Sequence, residues 1–221
     1  MGTSNLDQLA VKLSEIEDYK NLFSKAFADG DVTPSHIAKA LSAFLVSIRS
    51  NQSKFDLSLN KIETLSGLEQ TGKNLFFEKY DCNSCHQLQQ PFNGYQFAGE
   101  GAFGGFTDIG LDANPQDEGV FRVSGRESDK GKFKIPSLRN VALTAPYMHD
   151  GRFETLEDVL DHYSEGINDS ENLDPRLKVN GEAKKFNIPL SDKKAIIAFL
   201  HSMTDHQMIN DPKFSNPFKS R

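Results

Sequence analysis

Cys82, Cys85 and His86 stand in the order Cys-x-x-Cys-His, and no other residues in the chain have a spacing so suited to chemistry. Two thiols at this spacing can add as thioethers across the vinyl groups of a haem, and the imidazole that follows can bind the iron from one face. Cys82 and Cys85 are the only 2 cysteines, so no thiol remains for a structural disulfide or a four-cysteine zinc site. A redox dithiol would sit on a strand-to-helix turn of a βαβ unit, and the sequence shows no such pattern. A mixed Cys/His zinc site would need further ligands. The expectation is one covalent haem c.

A second axial ligand, or an open position, decides what such a haem does. The downstream candidates are Met148, His149, His162, Tyr163, His201 and Met203. His162 and Tyr163 are neighbours on a helix, so only one can face the haem. Tyr163 shares an apolar face with Leu156, Val159 and Leu160 and points to the core, which turns His162 away. Met203 lies on a core stripe. Met148 and His149 lie in a loop that could reach the iron, and spacing leaves both open.

Helices must hold these groups. Leu6, Leu9, Leu13 and Ile16 recur at helical spacing, and Leu22, Phe23 and Phe27 extend the pattern until Asp29-Gly30-Asp31 stops it. Thr33 caps a second helix with Pro34 at its first position and a stripe of Ile37, Leu41, Phe44, Leu45 and Ile48. His36, near its start, reads as a surface residue. Ser50–Leu65 reads as a polar link. Ser66 and Glu69 form a capping box for a helix that runs to about Tyr80 and delivers the cysteine motif. Residues 87–134 hold more than half of the 16 glycines, with Phe92, Tyr95, Phe97, Phe103 and Phe106 among them. Disordered segments are poor in aromatics, so this reads as an ordered loop over an apolar haem face. Thr155 and Asp158 open another helix, and Ser191 is expected to cap the last, with Ile196, Ile197, Phe199, Leu200 and Met203 as its stripe.

The net charge of −6 argues against nucleic acid as a partner. No apolar run is long enough to cross a bilayer. Haem c is attached outside the bacterial cytoplasm, yet residues 1–5 lack a secretory pattern, so an upstream segment and a periplasmic location are expected.

Pro136-Ser137-Leu138-Arg139-Asn140, Thr144-Ala145-Pro146-Tyr147-Met148-His149-Asp150-Gly151, Thr155-Leu156-Glu157 and Tyr163, together with the cysteine motif, resemble the C-terminal haem domain of bacterial dihaem cytochrome c peroxidases and of MauG. Residues 18–56 resemble the helical connector before that haem. The resemblance implies a mainly α, cytochrome c-like helical haem domain with long Gly-rich loops. Residues 1–60 would be the connector from a missing N-terminal haem domain, and residues 61–221 the haem domain. It implies His86 and Tyr163 as iron ligands in the MauG manner, with Met148 as the alternative to Tyr163. Carbonyls of Thr144 and Pro146 would serve a calcium ion, and Arg139 a haem propionate or a plain ion pair. His149 would lie near the electron path. The full protein would reduce hydrogen peroxide with electrons from a small donor such as a c-type cytochrome or a cupredoxin. The departures are the single haem motif and the absence of Trp. A stand-alone single-haem electron carrier, or a MauG-like oxidative enzyme acting on a protein or organic substrate, are the rival expectations.

Overall fold

The computed structural model describes residues 5–86 and 105–216, and the chain divides into two compact units, Met1–Arg49 and Ser50–Arg221. The first unit holds α1 (Leu6–Ser14), α2 (Glu17–Ala26) and α3 (Pro34–Ser47). Thr33 caps α3 by accepting the His36 N–H at 3.1 Å, with Pro34 in the first turn, as the sequence reads. The expected single first helix is broken at Ile16, which is extended; Ser14 turns its hydroxyl back onto the Val11 carbonyl at 2.7 Å. The expected buried stripe of α3 is a correction: Leu41, Phe44, Leu45 and Ile48 are all exposed. Three helices in so short a unit offer too little surface to cover one another. His36 is half-buried, stacked on Phe27 at 4.0 Å with Nδ1 2.9 Å from the Asp31 carbonyl.

The second unit begins ahead of the expected boundary near residue 60. Ser50 accepts a hydrogen bond from Asn140 at 3.0 Å, the Gln52 N–H donates to Asp205 at 3.0 Å, and the Phe55 N–H donates to the Ser202 carbonyl at 2.9 Å. These bonds tie the presumed link to the haem-motif unit. The link also contains a helix, α4 (Lys54–Leu59), started by a capping box between Ser53 and Asp56.

The unit continues with α5 (Gly67–Asn74), β1 (Phe106–Thr107), α6 (Phe121–Ser124), β2 (Phe133–Lys134), α7 (Leu156–Asp161), β3 (Lys178–Val179), β4 (Glu182–Ala183), α8 (Leu190–His201) and α9 (His206–Ile209). The fold is mainly α. β1 pairs antiparallel with β2, and β3 with β4. The β3–β4 hairpin turns on Asn180 and Gly181, both left-handed at φ 54° and 88°, the backbone a two-residue hairpin requires. α8 starts at Leu190 rather than after Ser191, because the Pro189 carbonyl takes the N–H groups of Asp192 and Lys193.

Phe199 centres the core, with its ring 5.3 Å from Phe55 and 5.5 Å from Phe76. Ile196, Leu200 and Met203 of the last stripe are buried beside it, as expected. α5 reaches α8 closely because Gly72 has no side chain: a Cβ there would lie 1.9 Å from the Ala195 carbonyl oxygen. Of the loop aromatics, Phe106 is exposed on β1 rather than packed inward, and Phe92, Tyr95, Phe97 and Phe103 lie outside the described residues.

Candidate haem site

α5 runs into a π-helical turn, Leu75–Lys79, closed by the Tyr80 N–H on the Leu75 carbonyl at 2.9 Å. Asp81 then takes the left-handed conformation at φ 51°, which ends the helix and aims the next residues away from its axis. Cys82–His86 form a tight turn in which the N–H groups of Cys85 and His86 both donate to the Cys82 carbonyl, at 3.2 and 2.9 Å.

The turn opens onto a cavity of about 490 Å³. Its walls are mostly apolar, with Phe76, Leu138, Leu160 and Ile196 among them, and Cys82, Cys85, His86 and Tyr163 line the same space. Burial pushes the Cys82 thiol up to about 12 and raises Cys85 as well. A redox dithiol needs the opposite, a lowered thiol. Among the described residues no group of three or more His, Cys, Asp or Glu side chains could hold a metal ion, which removes the zinc alternative there.

His86 is half-buried, with Nδ1 3.2 Å from the Pro136 carbonyl oxygen. A proton on Nδ1 serves that bond and leaves the Nε2 lone pair for a metal, the usual second-shell arrangement of a ligating histidine. Burial lowers the imidazole pKa and so favours the neutral ring. The Pro136 segment is itself anchored. Arg139 binds Asp56 through two bonds of 2.8 and 2.7 Å, and Asn140 accepts the Asp205 N–H at 2.8 Å. Arg139 is absent from the cavity lining, and its bond to the buried Asp56 carboxylate is the ion pair that the sequence offered beside the propionate role. Neither Asp56 as its partner nor the Pro136 carbonyl is visible in sequence spacing.

Thr155 and Asp158 complete a full capping box for α7, which passes into a second π turn, His162–Gly166. Tyr163 rides on that turn and lines the cavity, and its phenol carries no hydrogen bond within the described residues. Burial raises its pKa. His162 turns away, as the helical face requires, yet it is buried, with Nε2 3.0 Å from the Ile109 carbonyl oxygen. Met148, left-handed at φ 72°, also lines the cavity, as do Thr144, Pro146 and His149; His149 stacks on Phe133 at 3.6 Å. His201 is exposed at the end of α8 and lies outside the lining, and Met203 is 1% exposed in the core.

These residues fit a haem. The cavity has ligand-pocket volume and apolar walls. Two thiols line it, one imidazole nitrogen is reserved, and a phenol with no hydrogen bond among the described residues lines the same space. Cys82 and Cys85 would hold the ring, and His86 and Tyr163 could reach the metal.

A family model described as di-haem cytochrome c peroxidase matches residues 1–64. The methylamine utilization protein MauG of Methylorubrum extorquens is 30% identical over 202 residues, covering 90% of this chain and 53% of that protein. Cytochrome c551 peroxidase of Pseudomonas aeruginosa is 30% identical over 205 residues, 88% of this chain and 51% of that one. Among solved structures, a MauG-like protein associated with microbial copper homeostasis superposes with a TM-score of 0.81 at 32% identity, covering 99% of this chain and 67% of the other. The dihaem peroxidase BthA of Burkholderia thailandensis, at 21% identity and a TM-score of 0.68 over 95% of this chain and 61% of its own, shares the fold. The chain spans about half the length of the curated relatives it matches. It belongs to the family of dihaem cytochrome c peroxidases and MauG.

Proposed function

We propose that this chain carries one covalent haem c, which Cys82 and Cys85 would attach and His86 and Tyr163 would hold by its iron. In the full-length protein it would relay electrons from a small donor, such as a c-type cytochrome or a cupredoxin, to a second haem that reduces hydrogen peroxide. The observation that carries the reading is one apolar cavity lined by both His86, with Nδ1 engaged by Pro136, and Tyr163, with its phenol unbonded among the described residues. When bound, the haem supplies a one-electron iron couple whose potential follows its ligands and surroundings.

The side chains do the rest. Cys82 and Cys85 fix the ring covalently, and the Pro136 carbonyl orients the imidazole and strengthens it as a donor. A Tyr163 phenolate favours ferric iron and a lower potential than the thioether of Met148 would give. Were His86 and Tyr163 both to hold the iron, they would leave peroxide no position on it, and the haem would supply one-electron transfer alone. His149, stacked on Phe133, is assigned to the path onward. Arg139 is assigned to holding Pro136 in place. The carbonyls of Thr144 and Pro146 are assigned to calcium, for which carbonyl oxygen is a suitable donor. Residues 1–49 lead toward the second haem domain, and covalent haem c attachment puts the protein in the periplasm.

A second reading rests on Tyr163 and on the resemblance to MauG: an oxidative enzyme acting on a protein or organic substrate in place of peroxide disposal. Stopped-flow mixing tests the relay. The haem-loaded chain should accept one electron per molecule from a reduced small cytochrome and should turn over hydrogen peroxide no faster than free haem does. Rapid peroxide turnover by the chain alone would contradict it.

A further inference from the structure

The attachment turn is gripped by a side chain far away in sequence. Arg176 donates from Nη1 to the Ser84 carbonyl at 2.7 Å, between the two cysteines. Its Nε and Nη2 bind the two carboxylate oxygens of Asp174 at 2.9 and 2.7 Å. Asp174 also accepts the Thr107 hydroxyl at 2.7 Å, and its backbone N–H donates to the Asp108 carbonyl at 3.0 Å. The carboxylate side chain is 11% exposed and the guanidinium 43%. A fixed post thus runs from β1 through Asp174 and Arg176 to the peptide between the thiols.

We propose that Arg176 is a positioning residue for the haem, acting in two ways: it fixes the Ser84 peptide and so the Cys85 thiol, and it holds a positive charge against the attachment turn that favours the reduced iron. The inference rests on the covalent haem reading. The bidentate ion pair and the short bond to Ser84 hold the charge in one place, which lets it bias an equilibrium. Arg176 lines the same cavity as Cys85 and His86. Hydrogen bonds from Arg176, ahead of all other causes, draw the Asp174 carboxyl down to about 2, so that group stays an anion and opposes the guanidinium at every working pH. The two charges therefore act on the iron with opposite sign. Ferric iron carries one more positive charge than ferrous iron, so a nearby cation favours reduction and a nearby anion resists it.

The test is the mid-point potential of the haem-loaded chain by spectroelectrochemistry, with covalent haem counted per protein, in Arg176→Gln, Arg176→Lys and Asp174→Asn. Arg176→Gln should lower the equilibrium constant for reduction roughly threefold to tenfold, the size expected of a half-exposed charge held at the attachment turn. Asp174→Asn should raise it, and Arg176→Lys should stay near the wild type in potential while incorporating less haem. A purely structural role would move the Gln and Asn variants in the same direction, and that result, or no shift in either, overturns the proposal. If Arg176→Gln yields no haem-loaded protein, Asp174→Asn decides alone: a rise supports the proposal, and a fall or no change overturns it. Wild-type chain that takes up no covalent haem in a haem-maturing host would instead overturn the reading beneath it.

Discussion

Asp56 is 4% exposed and ionised, and it shows how a residue outside the cavity sets the chemistry inside it. It binds Arg139, and Arg139 stands three residues from the Pro136 carbonyl that orients His86. Removing Arg139 would leave a buried carboxylate without its cation. Arg139→Ala is therefore expected to lower unfolding stability by about 3–5 kcal/mol, read from urea midpoints. A value near zero would mean the pair is dispensable. Burial pushes the Asp56 carboxyl up, but the bonds from Arg139 and Ser53 outweigh it, and the net pKa lies below the usual 3.8. A folded value below the unfolded one means the stabilisation is complete above the unfolded pKa and fades as pH falls through the folded one. Stability should therefore drop below about pH 4, and Asp56→Asn should flatten that acid limb. Of the residue-scale account, Cys82, Cys85, His86 and the inward turn of Tyr163 were legible, because each follows from local spacing. The partners of Arg139, Arg176 and His86 were not, because they are 83, 92 and 50 residues distant along the chain.

Helices deliver both candidate ligands, and how they start and end was readable to different degrees. The boxes at Ser66 and Thr155 are legible because a cap and its partner lie three residues apart. The Ser53 box obeys the same rule, but it opens a helix of 6 residues with little periodicity to announce it. The π turns before Cys82 and at Tyr163 leave no sequence mark, since one extra residue per turn is a response to packing; such bulges gather at functional sites. Two element-scale outcomes follow. Thr155→Ala should destabilise the protein by about 1 kcal/mol through loss of the α7 cap, measured by thermal melting. Gly72→Ala must push α5 off α8, since its Cβ would fall 1.9 Å from a backbone oxygen. It should cost at least about 1–3 kcal/mol, and an unchanged melting temperature would contradict the close approach.

At the scale of the whole molecule, the helical class and the haem-motif unit were legible from the caps and stripes, but the boundary between units was not. The polar composition of Ser50–Leu65 suggested a link, whereas its bonds to Asn140, Ser202 and Asp205 make it part of the second unit. The α3 stripe misled in the opposite sense, because periodicity says which residues share a face and nothing about whether that face is covered. A chain beginning at Ser50 should keep the ferric spectrum of the whole, since these anchors remain, and loss of that spectrum would put part of the site in residues 1–49.

The most direct test of the central claim is the absorption and EPR spectrum of the ferric, haem-loaded chain, compared with Tyr163→Phe and Met148→Leu. The account predicts a low-spin, six-coordinate iron that only Tyr163→Phe converts to high spin. Conversion by Met148→Leu alone, or a wild type already high-spin and open to peroxide, would contradict His86/Tyr163 ligation and the relay built on it.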